Sequence, residues 1–163
     1  MKTDYISRAC KFINQIFPYI SSDLNNVLKV SAGVKMFNKV YHRKVIFNSG
    51  IVRCALITSD YAIKWDYSAF YRERFGGCED EVKRYKQAVK DGYDYLFAEI
   101  TPVMVCGKKW YIMPRINNIG TSNLKLTFDE RDYIDYLGVT DLHEDNYGSY
   151  KGKPIIIDYA ATM

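Results

Sequence analysis

Asp141-Leu142-His143-Glu144-Asp145-Asn146, then a short polar turn, then Pro154-Ile155-Ile156-Ile157-Asp158: the reading of this stretch decides the fold. It holds an Asp, an Asn five positions later, and a second Asp twelve beyond the Asn, at the tip of a β-branched apolar run. The order is loop, hairpin, strand end. Phosphoryl transfer from a nucleotide uses such a set. One carboxylate orients the attacking hydroxyl, while an amide and a second carboxylate hold Mg²⁺ on the phosphates.

Working outward, the period of the hydrophobic pattern sorts the chain into elements. Tyr5, Ile6, Ala9, Cys10, Phe12, Ile13, Ile16 and Phe17 recur at helical spacing, and the helix is expected to end before Pro18. Ser21-Ser22-Asp23 reads as the N-cap of a second helix carrying Leu24, Val27 and Leu28. Three β-rich runs follow: Val45 to Phe47, Ile51 to Ile57, and Tyr61 to Trp65, parted by Asn48-Ser49-Gly50 and Thr58-Ser59-Asp60. Glu79 to Lys90 reads as a helix closed by Gly92. A hairpin is expected from Leu96 to Val105 and Trp110 to Met113, and Thr127-x-x-Glu130 is a capping box opening one more helix, to Gly138.

Composition bounds the rest. With 163 residues there is room for one domain with one core. The net charge of +4 comes from basic residues scattered along the chain, which points to no nucleic-acid face. Cys10, Cys54, Cys78 and Cys106 form no C-x-x-C pair and there are two His, which argues against structural zinc and for reduced thiols in a cytosol. No run approaches the ~18 apolar residues of a membrane span, so neither a membrane nor export is expected. The location expected is cytoplasmic. The 15 tyrosines read first as half-buried packers and second as a binding surface.

Order and residues together resemble the protein-kinase-like superfamily, over roughly residues 40 to 160. The Asp-Leu-His-x-x-Asn loop is closer to the aminoglycoside- and choline-kinase branch, and to small phage-encoded kinase-like proteins, than to eukaryotic protein kinases. The resemblance implies an α+β, minimal protein-kinase-like fold. Residues 1–40 would be N-terminal helices, 41–116 an N-lobe-like antiparallel sheet, and 117–163 a truncated C-lobe. It also implies ATP and Mg²⁺ as ligands. Asp141 would be the catalytic carboxylate, and Asn146 and Asp158 the metal ligands. Tyr61-Ala62-Ile63-Lys64 looks like the strand whose lysine steadies the phosphates, with Glu81 as its partner and Glu79 as the rival. Met113, in Ile112-Met113-Pro114-Arg115-Ile116, would face the adenine, and Gly50 would belong to the glycine-rich loop.

Three departures temper the resemblance. The loop Asn48 to Arg53 holds a single glycine, fewer than a phosphate cradle uses. Val139-Thr140 stands where His-Arg or His-Gly normally precedes the catalytic Asp. Only 27 residues separate Met113 from Asp141 and five follow Asp158, so the substrate-binding helices of the larger lobe are missing. Either the N-terminal helices or a partner chain, which could be a second copy in an oligomer, would cover what that lobe buries. Two functions follow: a kinase-like ATP/Mg-binding protein that transfers phosphoryl to a hydroxyl of a host protein, or an inactive pseudokinase-like phage protein, in the host cytoplasm, that binds and inhibits a host factor.

Overall fold

Strand period and turn chemistry between residues 46 and 66 build three antiparallel strands, β1 (Ile46–Ser49), β2 (Arg53–Ile57) and β3 (Tyr61–Asp66). A computed structural model describes residues 2–117, 119–120 and 125–160 of the chain, without the side chains of residues 2, 3, 69 and 71. β4 (Thr101–Val105) and β5 (Lys108–Pro114) complete one antiparallel sheet in the order β1-β2-β3-β5-β4. Cys106 and Gly107, with φ of 54° and 68°, turn the β4–β5 hairpin in the left-handed conformation that a two-residue connection requires.

The two-residue period gives the sheet two functions. Cys54, Leu56, Tyr61, Ile63, Trp65, Trp110 and Ile112 face one core, shared with the N-terminal helices α1 (Lys2–Ile20) and α2 (Val27–Tyr41). Arg53, Ala55, Ala62 and Lys64 alternate with them and so face the other way. On that second side Tyr111 and Met113 join a separate core with α4 (Cys78–Asp91), α5 (Phe128–Tyr136) and the hairpin β6 (Tyr147–Tyr150)–β7 (Lys153–Ile156). A short helix, α3 (Ala69–Phe75), leads from β3 into α4. The architecture is α+β, a five-stranded antiparallel sheet with helices and a hairpin. The N-terminal helices therefore cover the sheet face opposite the second core, and among the described residues from 125 to 160 none contributes to the N-terminal core.

The helix ends differ from the sequence expectation in two places. α1 does not stop before Pro18 but runs through it to Ile20. Proline removes one backbone donor near the end of the helix, and the stripe Ile13, Ile16, Ile20, each 0–1% exposed, continues past it. α2 starts later than Asp23, because the cap is Asn26, whose side chain accepts from Lys29 N at 3.1 Å, leaving Leu24 ahead of the helix. α3 was not expected. α4 ends at Gly92 (φ 78°), and α5 opens with the Thr127–Glu130 capping box. Among the described residues no helix is long and apolar enough to cross a membrane.

Gly33 is where α1 and α2 touch: a Cβ there would lie 2.0 Å from the Tyr19 carbonyl oxygen. Gly33→Ala should cost about 3 kcal/mol or more of stability in urea unfolding, since backbone must give way. Gly50→Ala, where the nearest atom is 3.8 Å away, should stay within about 0.5 kcal/mol.

Candidate functional site

Lys64 projects from β3 on the face opposite Ile63 and Trp65. Its Nζ lies 3.2 and 3.3 Å from the two oxygens of Glu81 and donates to the Ile157 carbonyl at 3.0 Å. Glu81 sits in the first turn of α4, fully buried, and also accepts from the Tyr159 N–H at 3.1 Å. Glu79 points elsewhere. It pairs with Lys109 and accepts from the Tyr111 hydroxyl at 2.7 Å. Two residues apart on a helix, the two carboxylates cannot share a face, and the ion pair to Lys64 falls to Glu81.

Asp158 lies just beyond β7. The chain there is held by a Tyr159 hydroxyl bond to the Ala98 carbonyl at 2.7 Å and by Ala98 N–H donating to Ile156 O at 2.8 Å. Phe97 packs edge-on against the Tyr159 ring with centroids 5.1 Å apart. The Asp158 carboxylate meets a group that sequence reasoning placed only in the loop. Arg53, first residue of β2, brings Nη2 to 2.6 Å from Asp158 Oδ1 and Nη1 to 3.7 Å from Glu81 Oε1. The available signal was the strand period, which puts residue 53 on the same face as Ala55, the cross-strand partner of Lys64.

Four charges thus converge. Burial pushes the Glu81 carboxyl above its usual range, and Lys64 and Arg53 offset this only in part. Burial also acts upward on Asp158, but the charges of Lys64 and Arg53 outweigh it and hold that carboxyl below the usual range. Arg53 is the converse case: burial favours its neutral form, and Glu81 and Asp158 more than compensate.

The Asp141–Asn146 loop approaches from the other side. Asn146, 7% exposed, donates from Nδ2 to the Asp141 carbonyl at 2.7 Å and lies 3.0 Å from His143 Nε2. His143 caps the 3₁₀ turn 144–146 by accepting from Asp145 N–H, and its Nε2 is 3.5 Å from Asp141 Oδ2. The amide of Asn146 is in these contacts a brace for the loop.

Two hollows lie side by side along this cleft. The inner one, about 140 Å³, is lined by Ala55, Ala62, Met113, Ile116, Asn146 and Asp158 among others. The outer one, about 380 Å³, is lined by Gly50, Arg53, Phe75 and Asp141. Ala55, Lys64 and Asp158 belong to both. An apolar slot thus opens onto two cations, a shape suited to an anion with a flat apolar head. Met113, 3% exposed and paired with Ala62, sits in the slot, while the neighbouring Arg115 N–H is already bonded to Asp60 O. Gly50 lines the outer hollow, but its N–H donates to Arg53 O at 2.8 Å and its carbonyl accepts from the Tyr67 hydroxyl. A larger hollow of about 670 Å³, between α1 and the β2–β3 turn, contains none of these residues.

Asn146 and Asp158 are the residues that the kinase resemblance assigns to Mg²⁺. Asp158 is already engaged by a guanidinium, and the Asn146 amide is committed to the Asp141 carbonyl. The set does not fit a divalent cation while Arg53 stays in place. No family model and no curated protein matches the chain.

Lys64→Met should destabilise the fold by about 3 kcal/mol, because it strips the nearest cation from a buried carboxylate. The deficit should shrink as pH falls. Glu81, already raised, rises further in the variant, and its protonated form, which escapes the cost of burying a charge, accumulates below that raised value. Urea unfolding of both chains at pH 8 and pH 5 checks this; an equal deficit at both would contradict it.

Proposed function

We propose that this chain is a kinase-like nucleotide-binding protein of the minimal protein-kinase-like fold. ATP places its base in the slot at Ala62 and Met113 and its phosphates at Lys64 and Arg53. The observation that carries the reading is the position of Lys64: one amine on β3 fixed between the buried Glu81 of α4 and the Ile157–Asp158 strand end, in a cleft that continues into an apolar slot. The sheet order β1-β2-β3-β5-β4, with α4 inserted before β4 and β5, agrees with it.

In its stronger form the protein transfers phosphoryl to a hydroxyl of a host protein. Asp141 on the wall of the outer hollow then accepts the hydroxyl's hydrogen bond and aligns it with the terminal phosphate. A second reading, a catalytically inactive binder of a host factor, is favoured by separate observations. The Gly50 N–H and the Asp158 carboxylate are both occupied from within.

Calorimetric titration with ATP decides the shared premise. Binding is expected, with Lys64→Met weakening it about tenfold or more, the worth of one hydrogen bond to a charged group; no heat at millimolar ATP ends the nucleotide reading. Asp141→Ala should leave ATP affinity within about twofold while removing turnover of radiolabelled ATP onto protein. If the wild type shows no turnover either, the binder reading stands.

A further inference from the structure

Asp158, the carboxylate that the resemblance gives to a metal, already holds a cation. We propose that Arg53 stands in for the divalent ion, so that the cleft takes a polyphosphate on two protein cations, Lys64 and Arg53, without Mg²⁺. This deepens the nucleotide reading above and rests on it.

The guanidinium is built in. Arg53 opens β2 in register with Asp66, its carbonyl accepts the Gly50 N–H, and its side chain is 19% exposed. Nη2 is 2.6 Å from Asp158 Oδ1. Nη1 is buried and has no hydrogen-bond partner among the described residues, with Glu81 Oε1 3.7 Å away. A buried donor without an acceptor is costly, and a swing of the guanidinium toward the outer hollow, which Arg53 and Lys64 both line, would bring it an oxygen there. The flat fork of a guanidinium matches phosphate oxygens better than an ammonium does. A divalent ion on Asp158 would stand next to this fixed positive charge, and the repulsion opposes its binding. Arg53 and Lys64 meet Asp158 and Glu81 as ion pairs, so the Asp158 carboxylate has its counter-charge from the protein itself.

Two measurements test this on the whole chain. In thermal unfolding with EDTA or millimolar MgCl₂, wild type and Arg53→Lys should show no Mg²⁺ shift. Arg53→Gln, which leaves Asp158 without its cation, should melt lower in EDTA and recover by about 3 °C with Mg²⁺. A Mg²⁺ shift in wild type as large as in the Gln variant, or none in the Gln variant, overturns the proposal. In calorimetry, wild type should bind ATP within about twofold in EDTA and in Mg²⁺, while Arg53→Gln loses about tenfold in EDTA. ATP binding by wild type that appears only with Mg²⁺ also overturns it. If ATP fails to bind under either condition, the nucleotide reading falls, and the Mg²⁺ shifts still decide whether Arg53 fills a metal's place. The wild-type arms need no variant, so a Gln chain that does not fold leaves the matter decidable.

Discussion

A carboxylate buried to zero exposure in the first turn of α4 is the constraint on which the rest of the structure depends. Glu81 cannot remain charged there without donors, and it has drawn three parts of the chain toward itself: Lys64 from β3, Arg53 from β2 and the Tyr159 N–H from beyond β7. Each brings its own element. The helix is pinned to the sheet, the hairpin end is pinned to both, and a cleft forms between them.

The sheet makes this arrangement affordable by separating two environments across one layer. Ile63 and Trp65 bury their side chains against α1 and α2, while Lys64, between them, turns to the opposite side. The apolar work of folding is done on one face, so the other can carry four charges and a hollow. The second face is not wholly polar. Tyr111, Met113 and the buried Tyr159 belong to the second core on that side, and Glu81 is the one member of the charged cluster that is fully buried.

Much of this was readable from local chemistry. Gly92 ends α4 because a left-handed residue was needed there, Thr127 and Glu130 cap α5, and the β-rich run from Tyr61 to Trp65 became β3. Where a signal competed with burial, burial won: Pro18 should have closed α1, yet Ile20 had a core to enter. Spacing alone could not choose between Glu79 and Glu81, since which face of α4 meets β3 is set by packing. Arg53 was harder still. Its partner lies 105 residues away. The strand period puts residue 53 on the face of Ala55, which pairs with Lys64, but no local signal names Asp158 as the partner.

The most direct measurement is a crystal structure of the chain soaked with a non-hydrolysable ATP analogue. The account predicts phosphate oxygens within hydrogen-bond distance of Lys64 Nζ and Arg53 Nη1, with the base against Ala62 and Met113. Density for the analogue beside Arg8 and Lys11 in the larger hollow, with the cleft unchanged, would contradict it.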